Sequence, residues 1–326
     1  MTTRTVETAP SPEPTHALEG RPKLPLPARF TRHFSRQWQL WVMLLPALAF
    51  VGLFSYVPMY GIQLAFREFD FQAGLTGGDW VGMKYFIQFF ESPLFWQLMR
   101  NTFVISFTTL IFGFIAPIVL ALVVNQIVGQ RRKRFMQTAT YLPHFISVVV
   151  LVGMLQVFLN PTSGVIASFL NLLGFEGNFL GDVSAFVPVY VISEVWQHAG
   201  WNSIIYLAAL SSIDPQLYEA ARVDGANRWR LIRHVDIPAL VPTMIILLIL
   251  TMGGILATGF EKIFLMQNTL NLPVSEVIAT YVYKIGIVSN QFSYGTAIGL
   301  FNTAINFAFL VGANWLAKRY SNTSLW

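Results

Sequence analysis

EAARVDGANRWRLIRHVDIP, residues 219–238, is crowded with charge yet lies between two long apolar runs. Such a stretch is either a loop that happens to be charged or a surface built for a partner. Its local signals favour structure. Just upstream, Asp214 precedes Pro215. An Asp side chain accepts from the free N–H groups of a first helical turn, and Pro suits the first helical position. Leu217–Val223 then reads as a short helix, and Asp224-Gly225 ends it, because Gly accepts the left-handed conformation that closes a helix. Ala226 or Asn227 opens a second helix that continues from Arg228 to Val235, and Pro238 marks the next apolar run. The stretch therefore reads as helix, glycine turn, helix.

The flanking runs decide what this hairpin faces. The chain has 326 residues, 54% of them hydrophobic and 11% charged. Soluble domains carry about 25% charged residues, so there is too little charge here to build a soluble surface. Six runs approach the roughly 20 apolar residues that a bilayer requires. They are about Leu40–Phe66, Phe103–Val124, Tyr141–Leu159, Val183–Leu210, Ala239–Phe260 and Thr296–Leu316. Prolines at positions 46, 58, 117 and 188 are tolerated in membrane helices. The expectation is an all-α polytopic protein with six transmembrane helices.

Lys and Arg set the orientation. With a cytoplasmic N-terminus, 16 of the 21 fall inside: the first 36 residues, residues 126–138, residues 211–238 and the C-terminus. Arg67, Lys84, Arg100, Lys262 and Lys284 fall outside. Both termini and the hairpin are thus expected in the cytoplasm. Residues 1–36, with six prolines in the first 27 positions, read as a basic disordered tail. The tail has no early apolar region of a cleavable signal, so the first span is expected to stay as an anchor. The domain reading is this tail, a first span with its outer loop (37–96), a core of five helices (97–318) that contains the 211–238 loop, and a C-terminal tail (319–326).

The chain has no cysteine, so disulfides, thiolate metal sites and cysteine nucleophiles are excluded. It has no phosphate-cradling G-x-x-x-x-G-K-[ST], no H-E-x-x-H and no G-x-S-x-G. The histidines show no metal-like spacing, so no metal site and no catalytic residue is assigned. Glu194, Gln197, His198, Trp201 and Asn202 recur on one face of a helix in the fourth span. Ionisable groups at that depth normally face a bundle interior or a wet cavity. The stripe reads as the lining of a hydrophilic passage, with Trp196 and Trp201 as flat faces for a sugar ring, or as a hydrogen-bonded helix contact. Asn302 and Asn306 of the sixth span, with Asn314, are open to the same two readings. Gly295-x-x-x-Gly299 reads as a packing contact, and Gly253-Gly254 as a break in the fifth span or a close approach.

Glu219-Ala220-Ala221, three residues, Gly225, nine residues, then Val235-Asp236-Ile237-Pro238 resembles the E-A-A-x3-G-x9-I-x-L-P loop of bacterial ABC importer permeases. Val replaces Ile and Ile replaces Leu, both conservatively. Trp80-Val81-Gly82, Arg100-Asn101-Thr102, Tyr141 through Ser147, Tyr206 through Leu210, Gly259-Phe260-Glu261 and Ser324-Leu325-Trp326 are similar to the carbohydrate permeases of the polysaccharide and oligosaccharide branch, one of which imports alginate. The resemblance runs from about Leu40 to the end. It implies the type I ABC importer permease fold and half of a translocation pathway for a glycan. It implies as partners a second similar permease, two ATP-binding cassette ATPases that bind ATP and Mg, and an extracytoplasmic solute-binding protein. The loop becomes the coupling element, with Glu219, Ala220, Ala221, Asp224, Gly225 and Pro238 at the ATPase. A stand-alone ion-coupled transporter is the alternative, and it has one intramembrane carboxylate and no inverted repeat to support it. A membrane enzyme or an anchor is a third reading.

Overall fold

The computed structural model describes residues 38–320 apart from residues 73, 75–77, 176 and 258. The proline-rich stretch 1–36, Gly77 and the terminal Ser324-Leu325-Trp326 lie outside the described residues. The chain divides into two units, Met1–Tyr60 and Gly61–Trp326. In the first, helix α1 (Trp38–Val51) passes into a π turn at Gly52–Tyr56, where Val57 N–H reaches back to Gly52 O. Pro58 follows, and the widened turn accommodates a residue that has no N–H to give.

The second unit is helical, with only two isolated bridges, Arg67–Trp80 and Asp70–Gly74, among the described residues. Its centre is the pair α2 (Phe95–Asn125) and α5 (Val183–Ser211). Ile105 clusters with Phe186, Tyr190 and Val191, while Ala121, Leu122 and Val124 cluster with Tyr206, Leu207 and Leu210. The two helices therefore run parallel. Leu240, near the start of α8 (Ile237–Met252), joins the second cluster. Ile298, early in α10 (Phe292–Tyr320), packs with Leu98, near the start of α2. So α2, α5 and α10 run towards one end of the unit, α8 starts from that end, and the charged hairpin is at that end.

Among the described residues, four helical runs are long and apolar enough to cross a membrane: Trp38–Phe66, Phe95–Asn125, Arg228–Met252 and Phe292–Arg319. A fifth arises if a bent pair counts as one span. Helix α5, at 29 residues, spans about 43 Å at 1.5 Å per residue. Its polar stripe makes it less apolar than the others.

The third expected span, Tyr141–Leu159, is corrected: it is not one straight helix. Helix α3 (Gln130–Tyr141) ends in a tight turn at Leu142–Phe145, and α4 (Val148–Phe158) departs at 97°. Pro143 removes a backbone donor in this turn, and the Ser147 side chain accepts from Val150 N–H to start a new helix. At 11 residues α4 is about 16 Å long, half a bilayer core. Just before this turn α3 touches α5 through Gly200, where a Cβ would lie 1.9 Å from Thr140 O, so only glycine permits the approach.

The fifth expected span, Ala239–Phe260, is shifted. The helix runs unbroken from Arg228 through a π turn at Ile232–Asp236, and Gly253-Gly254 ends it after Met252. Gly295 packs on the backbone of Gly286, whereas Gly299 has open space, so the G-x-x-x-G pair makes one contact.

Candidate functional site

Two features carry the candidate chemistry, the hairpin and a cavity enclosed by α2, α5 and α8. In the hairpin, Asp214 accepts from Gln216 N–H at 2.9 Å and starts α6 (Pro215–Val223). Gly225 sits at φ +77°, and its N–H donates to Arg222 O while Ala226 N–H donates to Ala221 O. That pairing closes a helix end through a left-handed residue. Asn227 accepts from Arg230 N–H at 2.9 Å and starts α7 (Arg228–Leu231), which continues through the π turn into α8.

The outer surface of the hairpin is both charged and apolar. Glu219, Ala220, Asp224 and Pro238 are exposed, and Ala221 is half-buried. Leu217, Trp229 and Val223 are 56%, 70% and 88% exposed.

The base of the hairpin holds a residue that the sequence reading did not single out. Asp236 is fully buried. It accepts from Tyr218 Oη at 2.5 Å and from Gln126 Nε2 at 2.9 Å. Burial, with this carboxylate as a hydrogen-bond and charge neighbour, pushes the Tyr218 phenol up to about 12, so it stays a donor. The signal in the sequence was an aspartate between Val235 and Ile237 at the start of an apolar run.

The cavity has a volume of about 300 Å³. Ser106, Thr109 and Phe114 line it from α2, Glu194, His198 and Asn202 from α5, and Leu247 and Thr251 from α8. Glu194 Oε2 accepts from Lys262 Nζ at 2.9 Å. Lys262 lies on α9 (Phe260–Met266), is 2% exposed and sits 5.0 Å from the Tyr190 ring centroid. A buried ammonium needs such a partner, and an ion pair with good geometry is how a protein tolerates the charge. His198 Nδ1 is 3.7 Å from Glu194 Oε1, too long for a hydrogen bond. His198 Nδ1 and Thr109 Oγ1 have no hydrogen-bond partner among the described residues. Both atoms are buried, so the polar side chain that this wall leaves open is Asn202, which is exposed.

The other stripe residues sit elsewhere. Gln197 is buried, and its Nε2 donates to Ile146 O at 2.8 Å, supporting the broken third span. Asn306 Oδ1 accepts from Leu256 N–H at 2.9 Å, just past the Gly253-Gly254 break. Asn302 is half-buried outside the cavity wall, and its Oδ1 is without a partner among the described residues. Trp201 stacks on His144 with ring centroids 4.6 Å apart, so one of its faces is taken. Trp196 lines a separate apolar groove with Phe112 and Ile192. Periodicity placed these residues on a face, but it does not say what the face meets.

Comparison with known proteins places this geometry. Residues 110–322 match the family described as binding-protein-dependent transport system inner membrane component. The polygalacturonan/rhamnogalacturonan transport system permease protein YteP of Bacillus subtilis (strain 168) is 41% identical over 292 residues, 89% of this chain and 91% of the relative. Protein LplB of the same organism is 40% identical, over 88% of this chain and 90% of its own length. The crystal structure of a bacterial ABC transporter involved in the import of the acidic polysaccharide alginate contains a chain with TM-score 0.83 and 38% identity, covering 90% of this chain and 99% of that one. A second structure, of bacterial alginate ABC transporter in complex with alginate pentasaccharide-bound periplasmic protein, aligns with TM-score 0.84 at 37% identity, over 91% of this chain and 100% of the other.

Proposed function

The chain belongs to the binding-protein-dependent transport system inner membrane components, and on that premise we propose that it carries an acidic oligo- or polysaccharide. It is the permease subunit of an ATP-binding cassette importer for carbohydrate, a multi-pass protein of the bacterial inner membrane. It does not itself hydrolyse ATP, which falls to partner ATPases. A second permease and an extracytoplasmic solute-binding protein complete the machine. The stand-alone ion-coupled reading falls with that membership.

One observation carries the cargo assignment: relatives of 41% and 38% identity act on polygalacturonan/rhamnogalacturonan and on alginate, which share uronic acid units. The cavity wall suits such a cargo. A bare Glu194 would repel a uronate, but Lys262 at 2.9 Å compensates it. The exposed Asn202 on the same wall remains for hydroxyl or carboxylate groups.

Our reading of the topology is six crossings with both termini in the cytoplasm. Asn125 ends α2 at the hairpin end, while Val152 of α4 packs with Phe186 and Tyr190 at the other, so the bent third segment makes the crossing. In the transport cycle the hairpin, residues 211–238, docks on an ATPase through Glu219, Ala220, Ala221, Asp224 and Gly225, with Val223 and Trp229 as apolar contacts. Exposed Glu219 is placed to pair with a basic ATPase residue. Closure of the ATPases on ATP moves the hairpin and opens the cavity outward; hydrolysis resets it. A nucleotide can drive this exchange only through contacts that differ between the two states.

The test is uptake by proteoliposomes that contain the whole importer with its solute-binding protein. Oligogalacturonate and oligoalginate should be taken up with ATP, and malto-oligosaccharides should not. Uptake of the neutral sugar with no uptake of either uronate contradicts the assignment.

A further inference from the structure

We propose that Asp236 is the positioning residue that ties movement of the hairpin to the wall of the cavity. Its place in the fold is unusual. It ends the π turn Ile232–Asp236, immediately before α8, and is fully buried. Each carboxylate oxygen belongs to a different element. Oδ1 accepts from Tyr218 Oη on α6, and Oδ2 accepts from Gln126 Nε2, one residue past the end of α2. One side chain therefore joins the first arm of the hairpin, the second arm, and α2. In the loop pattern that the hairpin resembles, this position is the unspecified one between Val235 and Ile237.

The helices so joined are the ones that build the passage. Helix α2 brings Thr109 and Phe114 to the cavity, and α8 brings Leu247 and Thr251. Around the junction the packing is apolar, with Leu122, Leu207, Leu210 and Leu240 in one cluster. Apolar contacts are non-directional and slide. Hydrogen bonds to an ionised carboxylate are short, directional and about twice as strong as neutral ones. A displacement of α6 thus reaches α2 and α8 through Asp236 along two fixed directions, whereas packing alone would let the hairpin tilt without moving the cavity wall.

This inference rests on the hairpin being the ATPase-facing surface, so its test separates the two. The chain has no cysteine, and Gly113→Cys, where an added Cβ meets open space, places a single reporter of this chain on the cavity wall. In the complete importer, labelling of this cysteine by a membrane-impermeant maleimide is compared with and without ATP plus vanadate. The otherwise unaltered importer should change its labelling rate on nucleotide trapping by about tenfold, within the usual range of coupling between sites. Tyr218→Phe and Asp236→Asn should cut that change to less than about twofold while the ATPase subunits still co-purify in full. If both variants keep the full nucleotide response, Asp236 is not the link. If they instead lose the ATPase subunits, Asp236 merely folds the docking surface, and the proposal is equally overturned. If the parent itself shows no nucleotide response, the coupling reading of the hairpin falls with it. Should Asp236→Asn fail to insert, Tyr218→Phe, which removes one hydroxyl, decides alone.

Discussion

Lys262 and Glu194 make the sharpest single-residue case. The ammonium is 2% exposed and bonded to a carboxylate on the cavity wall at 2.9 Å. Removing one member of a buried pair strands the other, at a cost of roughly 3–5 kcal/mol. Lys262→Met should therefore lower the melting temperature of the detergent-purified complex markedly, and adding Glu194→Gln should restore most of it. A double-mutant cycle measures this; additive losses would mean the pair does not interact. Glu194 was legible in the sequence because a carboxylate within an apolar run is anomalous. Lys262 was not, since it lies 68 residues further on in what reads as an outer loop. The hairpin was legible almost residue by residue. Asp214, Gly225 and Asn227 act on backbone groups two to four positions away, and such signals survive in a linear chain. Asp236 was missed because its meaning depends on Gln126, 110 residues distant.

At the scale of the element, the broken helices explain two amides that periodicity left open between the passage and a helix contact. Gln197 satisfies Ile146 O at the bend of the third span, and Asn306 satisfies Leu256 N–H past the end of α8. In lipid an unsatisfied backbone group has no water to turn to. Gln197→Leu should cost about 1–3 kcal/mol, the penalty of an unpaired buried polar group. His198→Gln, which alters the cavity wall, should leave the melting temperature near that of the parent and reduce uptake instead. Thermal unfolding of both variants beside an uptake assay separates the two roles; a stable Gln197→Leu would remove the helix-break explanation. The bend itself escaped the sequence reading because Tyr141–Leu159 is mostly apolar and carries no Lys, Arg, Asp or Glu. Pro143 and Ser147 marked it, but prolines in other spans leave membrane helices unbroken, as Pro117 does in α2 and Pro188 in α5.

For the whole molecule, parallel α2 and α5 with α8 starting from the same end bring the chain back from one end of the unit to the other between Asn125 and Val183 and again between Ser211 and Phe292. With α1 as a further span, this is the six-crossing topology proposed above. In the cysteine-free chain, Val223→Cys should react with an impermeant thiol reagent only from the cytoplasmic side and Phe175→Cys only from the outside. Labelling of both from one side would break the topology. The orientation in this proposal comes from the Lys and Arg count, because topology is set by charges near the span ends. The cargo is less legible, since half of the passage belongs to another chain. The most direct test of the central claim, that residues 219–238 couple a partner's ATP hydrolysis to uptake, replaces Gly225 by Trp. The φ of +77° suits glycine, and the added side chain projects into open space on the docking face. In reconstituted importer, uptake and ATP hydrolysis are measured together. The expected result is a fully inserted chain whose uptake falls more than about tenfold, with hydrolysis no longer stimulated by loaded solute-binding protein. Uptake and stimulation equal to those of the parent would contradict it.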